Sequence, residues 1–385
     1  MRLLVYTDSV YTRDIDGNVW ADRAFARFLD GVAKSIDVVI IGRLRPDPGR
    51  SRYAMSAATE FIPLPHYESL AQPSRALPAT ARSLWIFWRA LAGADAVWVL
   101  GPTPLTIAVS LLAFVRRRRL FLGVRQDFPQ YARSRHPRRR SFHVAADLLE
   151  ATNRALARRH PIVVVGDELG RLYRSAPKRL ELTVSLVSRD DILDAEQALA
   201  RTYDGEIRVL SVGRLDAEKN PLLMAEVLDR LRVSDSRYRL VVCGEGPLES
   251  ALRSRLAELG LAAHAQLLGY VPFDAGLFDV YRSSHVFLHA SWTEGLPQVL
   301  FEAYALGLPV VATDTGGVAA AARGSALLVR PGDATAAADA VRRLATDAVL
   351  RRQLVTAGLE RASSHTCESE QARLVRFLTS DGDQA

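Results

Sequence analysis

Two successive series of short apolar runs, most of them separated by helix-length patterns, constrain this chain more than any other feature. In the first series, Leu3 to Tyr6, Val38 to Ile41, Ala96 to Leu100, Leu120 to Val124 and Ile162 to Val165 have strand length. Helical patterns around Ala21–Ala33, Thr80–Leu91, Leu105–Val115 and Phe142–Arg158 lie between most of them. Strands buried on both faces read as continuous apolar runs, and their alternation with helices predicts a parallel sheet covered by helices. The second series, Ile207 to Val212, Arg239 to Cys243, Ala265 to Leu268, Val286 to His289 and Pro309 to Ala312, predicts another such sheet. The fold class expected is therefore α/β, with two Rossmann-like doubly wound domains. Residues 43–78, rich in Pro, Ser and Arg, are expected to be mostly loops, with only Glu60 to Ile62 strand-like.

A length of 385 residues, 49% of them hydrophobic, suffices for two cores. The polar, acidic stretch 188–204, which holds Asp190, Asp191, Asp194 and Glu196, is the expected linker between domains at 1–187 and 205–364. Ligands of such sheets bind at the carboxyl ends of the strands, here expected in a cleft between the domains. Met1 to Asp8 has too short an apolar run for a signal peptide, and Pro104 to Val115 is too short to span a bilayer. A soluble, cytoplasmic protein is the expectation. Cys243 and Cys367 cannot form a disulfide framework, and no Cys/His cluster has zinc spacing.

Charge divides the chain unevenly. Residues 1–190 carry a net +13 and residues 191–385 a net −6. The densest cations are Arg116 to Arg119, then Arg133, Arg135 and Arg138 to Arg140. Such a surface suits an anionic membrane, with peripheral attachment, or a phosphorylated acceptor. Nucleic acid is the weaker fit, because the run lacks interleaved aromatics and any recognition motif.

Chemistry concentrates after two strands of the second series. Ser291 to Gly317 reads as loop, short helix and strand. Pro297 fits the first helical position and Gly307 the left-handed residue after the helix end. A helix starting just after Gly295 presents unpaired amides, which suit a phosphate. Glu294 lies on the loop at its mouth, and Glu302 lies about 7 Å further along the axis. Upstream, the strand ending at Gly213 is followed by Arg214 and Lys219, a forked cation and a movable one, with Asn220 and Pro221 reading as cap and first turn. Together these two cations suit a diphosphate leaving group. Cys243-Gly244-Glu245-Gly246-Pro247 is a tight turn, equally suited to structure or to nucleotide contact.

The order of these motifs resembles the donor-binding signature of retaining GT-B glycosyltransferases of family 4, the glycosyl transferases group 1. In that signature a Glu, seven residues and a second Glu fall within Glu-Gly-Leu-Pro and its following helix, with Gly-Arg…Lys upstream. The resemblance implies GT-B architecture, with a C-terminal tail at 365–385 whose helix crosses back to the first domain. It implies a nucleoside-diphosphate-sugar donor, with Arg214 and Lys219 on the diphosphate, Glu294 toward the sugar and Glu302 on the ribose hydroxyls. Gly295, Leu296 and Pro297 would support sugar and phosphate, Gly213 and Gly244 would line the nucleotide, and Tyr270 would neighbour the base. The acceptor would present a hydroxyl on a lipid-linked group, a saccharide or a small natural product.

The first domain matches that family less closely. Where the family has a Gly-Gly loop after the first strand, this chain has Asp14-Ile15-Asp16-Gly17-Asn18. Where it has a His after a later strand, this chain has Arg125-Gln126-Asp127. Gly17 remains a candidate for close backbone approach to phosphate, and Gln126 and Asp127 for hydrogen bonds to a sugar or acceptor. Asp14-Ile15-Asp16 spells a metal-binding Asp-x-Asp but lies where turn chemistry explains it. No metal and no cofactor are expected, since Arg214 and Lys219 would take the metal's part. The departures in the first domain also motivate a rival reading, a catalytically silent subunit that binds an acceptor or partner.

Overall fold

The computed structural model describes residues 1–68, 73–135, 139–273 and 275–380, with main chain alone at 73, 75, 134 and 135. His136 and Arg138 lie outside the described residues, as does the side chain of Arg135. The chain divides into two compact units, Met1–Leu186 with Glu368–Ala385, and Val187–Cys367.

The first unit runs β1 (Arg2–Arg13), β2 (Val19–Ala21), α1 (Phe25–Val32), β3 (Asp37–Leu44), β4 (Tyr53–Ala54), β5 (Glu60–Leu64), α2 (Pro73–Ala90), β6 (Ala96–Gly101), α3 (Pro104–Val115), β7 (Arg119–Val124), α4 (Phe128–Arg135), α5 (Arg140–Ala157), β8 (Ile162–Val165), α6 (Asp167–Leu172) and β9 (Arg179–Leu182). β5, β3, β1, β6, β7, β8 and β9 lie side by side and parallel, and the antiparallel β2 and β4 extend the sheet beside the far end of β1. Val97, Val99, Leu122, Ile162 and Val164 meet Phe87 and Leu91 of the α2 region, Leu105, Val109 and Ala113 of α3, Ala157 of α5 and Leu169 of α6 in one core. α2, α3, α5 and α6 therefore cover the same face of this sheet.

Residues 43–78, expected to be mostly loops, contain the end of β3, two short strands and the first turns of α2. Pro78 sits inside that helix, where a proline removes one hydrogen bond, and the helix continues through it.

The second unit runs α7 (Ala195–Leu199), β10 (Ile207–Val212), α8 (Leu222–Ser234), β11 (Tyr238–Cys243), α9 (Glu249–Glu258), β12 (Ala265–Leu267), α10 (Leu277–Arg282), β13 (Val286–His289), α11 (Gln298–Ala305), β14 (Val310–Thr313), α12 (Val318–Ala322), β15 (Ala326–Val329), α13 (Ala334–Thr346) and α14 (Ala348–Ser364). Its six strands are all parallel, in the order β12-β11-β10-β13-β14-β15. The order reverses direction between β10 and β13, and ligands of open α/β sheets bind outside the carboxyl ends of strands at such a reversal.

Residues 188–204, expected as a linker, are counted with this unit. Leu193 N–H donates to Ala305 O at 2.8 Å, and Ala198 packs on Val355 and Leu359. The final helix, α15 (Cys367–Thr379), closes the chain, and from Glu368 onward it belongs to the first unit. There Gln371 Nε2 donates to Phe28 O at 3.1 Å, and Phe377 meets Phe121 edge-on.

Candidate active site

Three loops of the second unit leave the carboxyl ends of β10, β11 and β12 and are tied to one another through their backbones. Gly213 N–H donates to Cys243 O at 2.9 Å, Leu215 N–H to Glu245 O at 2.9 Å, and Gly244 N–H to Gly269 O at 2.7 Å. Gly244 has φ +144°, and a Cβ there would stand 1.8 Å from Gly213 O. That glycine is required by the close approach of the two loops. Tyr270 leaves β12 half-buried, with its N–H donating to Glu245 Oε1 at 3.2 Å.

The loop after β10 carries Arg214 and Lys219. A 3₁₀ turn at Ala217–Lys219 ends in Asn220 at φ 46°, and Pro221 is the N-cap of α8. The boundary thus falls one residue later than the expected cap at Asn220. Arg214 pairs with Asp216 and, at 2.9 Å, with Glu218. Lys219 pairs with Glu294, so neither expected diphosphate cation stands alone.

The loop after β13 brings the partner. Ser291 N–H donates to Thr313 Oγ1 at 2.9 Å, and that hydroxyl donates to Ser291 O at 2.7 Å, which pins the loop to the end of β14. Trp292 N–H donates to Glu218 O at 2.8 Å and joins this loop to the one carrying Lys219. Glu294 lies on this loop with its side chain only 9% exposed. On its Oε1 converge Lys219, the Ser291 hydroxyl at 2.9 Å and His289 Nε2 at 3.0 Å. Burial alone would raise this carboxyl's pKa, but the Lys219 charge and the His289 and Lys219 hydrogen bonds outweigh it and hold the group well below the usual carboxylate range.

Gly317 closes the far end of the stretch on its beginning. Its N–H lies 3.3 Å from Glu294 O, and a Cβ on it would stand 1.8 Å from Gly295 O. The helix α11 starts at Gln298, with Pro297 as its N-cap at ψ 109°, so it begins later than Gly295 or Pro297. No side chain caps its first amides. Gly307 ends it at φ 64°, in the left-handed region expected.

Glu302 lies on the buried side of α11, where Tyr281 of α10 donates its hydroxyl to Oε2 at 2.7 Å. Burial pushes this carboxyl up to about 7, and the phenol of Tyr281 is raised by burial and by Glu302 beside it. The second oxygen, Oε1, carries no hydrogen bond among the described residues.

The candidates of the first unit have different surroundings. Gly17, at φ 89°, turns the β1–β2 hairpin, and Asp14 accepts from the N–H groups of Asp16 and Asn18 at 3.1 and 2.9 Å and from Trp20 Nε1 at 3.0 Å. Gln126 is exposed after β7, and Asp127 Oδ1 accepts Gln130 N–H at 2.9 Å as the cap of α4. Among the described residues no group of three His, Cys, Asp or Glu side chains is arranged to hold a metal ion. Sequence reasoning missed His289, Ser291 and Tyr281. The signal available for the first two was position, at and just beyond the carboxyl end of β13.

Residues 195–361 match the family described as Glycosyl transferases group 1. Over 148 residues, 38% of each chain, the protein is 32% identical to a Campylobacter jejuni enzyme named N-acetylgalactosamine-N,N'-diacetylbacillosaminyl-diphospho-undecaprenol 4-alpha-N-acetylgalactosaminyltransferase. It is also 32% identical over 219 residues, 51% of this chain and 48% of the other, to a D-inositol 3-phosphate glycosyltransferase of Stackebrandtia nassauensis. The matches thus span about half or less of those relatives' lengths. Among solved structures, Anabaena HepE in complex with UDP superposes with a TM-score of 0.70 at 16% identity, covering 99% of this chain and 100% of that one. The sucrose-phosphate synthase of Thermosynechococcus elongatus does so with a TM-score of 0.71 at 18% identity, covering 99% of each chain. The whole chain thus carries the GT-B fold of two Rossmann-like units, and its residues 195–361 are similar to the glycosyl transferases group 1.

Proposed function

We propose that the protein transfers a sugar from a nucleoside diphosphate to a hydroxyl acceptor, with retention at the anomeric carbon. The observation that carries this reading is the convergence of Arg214, Lys219 and the uncapped start of α11 on loops leaving the strand ends where the sheet order reverses. A diphosphate bound there competes with Glu294 for Lys219 and with Asp216 and Glu218 for Arg214. Its charge grows as the bond to the sugar breaks, so both cations and the α11 amides hold the leaving group more tightly in the transition state than in the bound donor. The anomeric carbon–oxygen bond to the diphosphate breaks and the bond to the acceptor oxygen forms on the same face. The acceptor's proton passes to the departing phosphate oxygen, so no protein base is obligatory.

Glu294, held by His289 and Ser291 after Lys219 turns to the diphosphate, faces the sugar. Glu302 accepts from the ribose through Oε1. With a net +13 in residues 1–190, an acceptor bearing phosphate is the class the charge favours, which also accords with the lipid diphosphate and inositol phosphate in the relatives' names.

The test is a thermal-shift panel of nucleoside diphosphates and sugar nucleotides, followed by transfer and donor-hydrolysis assays in EDTA. A ligand at about a hundred times its dissociation constant adds about 2.7 kcal/mol of stability. The expected outcome is stabilisation by one nucleoside series and turnover undiminished by chelator. Binding without turnover in any assay returns the protein to a silent subunit, and turnover lost in EDTA removes the cation-only account of the leaving group.

A further inference from the structure

Among the described residues, eight of the fourteen exposed large apolar side chains lie on three helices of the first unit, and six of these define one surface. Trp85 on α2, Leu111, Phe114 and Val115 on α3, and Val144 and Leu148 on α5 are each between 56 and 70% exposed. On α3 they recur at helical spacing opposite Leu105, Val109 and Ala113, which enter the core. On α5, Val144 and Leu148 recur opposite Ala146, Asn153 and Ala157. Because α2, α3 and α5 pack on the same face of the sheet, with α3 touching both others, their outward stripes form one continuous surface. Single exposed apolar residues are ordinary, but a multi-helix apolar surface marks a contact.

Its border is cationic. α2 and α3 contain no carboxylate, and the two on α5, Asp147 and Glu150, are each taken by an arginine at 2.8 Å, Arg133 and Arg154. Arg89 lies 4.9 Å over the exposed Trp85 ring, and Arg116 lies 3.8 Å over Trp88. Arg117 and Arg140 stand exposed at the end of α3 and the start of α5. Apolar side chains bordered by guanidinium groups, with indoles beside them, fit the boundary of a bilayer, where acyl chains lie beneath anionic headgroups and Trp and Arg occupy the interface.

We propose that the outward face of α2, α3 and α5 docks on an anionic lipid surface, Leu111, Phe114, Val144 and Leu148 entering the acyl boundary and Arg89, Arg117 and Arg140 meeting the headgroups. No described helix is long and apolar enough to cross a membrane, so this contact is peripheral. It is independent of the donor chemistry and is read without any sugar nucleotide.

The full chain is cosedimented with vesicles of phosphatidylcholine alone and with rising phosphatidylglycerol. Wild type pellets with the anionic vesicles in proportion to their phosphatidylglycerol, and salt releases it. Phe114→Ser with Leu148→Ser, both exposed positions, lowers the partition coefficient about tenfold or more with circular dichroism unchanged. Arg89→Gln with Arg140→Gln lowers it by roughly fivefold per residue on anionic vesicles alone. Wild type left in the supernatant at low salt overturns the proposal, as does a Phe114/Leu148 variant that pellets like wild type. A wild-type dimer that this apolar variant splits, with neither form on vesicles, makes the face a contact between copies and overturns it equally. Capture of a protein partner by a chain that ignores vesicles does the same.

Discussion

Strand-end carboxylates are used differently in the two units. In the first, Asp14 accepts backbone N–H groups of its own hairpin and Asp127 caps α4. In the second, Glu294 meets Lys219, and Asp216 and Glu218 meet Arg214, side chain to side chain. A carboxylate holding backbone amides cannot give them up without undoing the turn, whereas a cation in a side-chain pair can exchange its carboxylate for a phosphate at little structural cost. Side-chain pairs occur in the first unit as well, and Asp14 Oδ2 lies 3.3 Å from Arg50 Nε beside the amides it accepts. Asp8 is ion-paired with Arg43, whose Nε lies 3.1 Å away, and accepts the Tyr67 hydroxyl at 3.3 Å, beside the β1 bulge between Tyr6 and Val10.

The largest effect expected from breaking this contrast is at Lys219. Lys219→Ala should lower kcat/KM by about 10²–10³-fold, the scale for one preorganised donor to a developing charge. It should also destabilise the fold by roughly 1–3 kcal/mol, because Glu294 is left buried and charged with only His289 and Ser291 beside it. Lys219→Ala with Glu294→Gln removes that stranded charge, so urea unfolding should return toward wild type while turnover stays low. If both recover together, the pair is structural and the diphosphate assignment is lost.

A smaller effect is expected at Glu302, and it has a sign in pH. Its carboxyl is raised by burial from 4.5 to about 7, so between those values the folded state holds a proton that the unfolded state has released. Stability therefore falls as pH rises through this window, by roughly 3 kcal/mol at most, at about 1.36 kcal/mol per pKa unit. Glu302→Gln should flatten that slope and be the more stable protein at pH 8. If the ionised carboxylate binds ribose hydroxyls, wild-type affinity for the nucleoside diphosphate should rise through pH 7, and the variant should bind about tenfold more weakly above it. A pH-independent affinity shared by both proteins, measured by calorimetry, returns Glu302 to a packing role with Tyr281.

The contrast between units also explains what could be read in the sequence. Val286–His289 was legible to the residue and Leu120–Val124 within one, because strands buried on both faces leave an unbroken apolar run. β1 was read only to Tyr6, since Asp8 and Ser9 interrupt the run just where the strand bulges and continues to Arg13. Glu294, Lys219 and Arg214 were legible as candidates because their loops follow strong strands. The pairing of Lys219 with Glu294 was not, since it depends on loops 75 residues apart in sequence meeting in space. Leu84 to Trp88 is an unbroken apolar run in which Phe87 is buried while Trp85 turns outward; a run of apolar letters does not say which of them faces the sheet.

The smallest expected effect lies at Asp127. Asparagine is as good an N-cap as aspartate, so Asp127→Asn should keep the Gln130 N–H bond and change stability by less than about 0.5 kcal/mol, whereas Asp127→Ala should cost about 1 kcal/mol. If Asp127 only caps α4, acceptor KM is the same in wild type and Asp127→Asn. Asp8→Asn provides the counterpart, because it weakens an exchangeable ion pair at the β1 bulge rather than a cap. An acceptor bound over the first unit's strand ends should register Asp8→Asn as a several-fold rise in acceptor KM at constant donor affinity. The reverse result, with KM moved by Asp127→Asn and untouched by Asp8→Asn, would mean that the carboxylate engaged with backbone amides is the one that meets substrate. The rule separating the two units would then fail in the first.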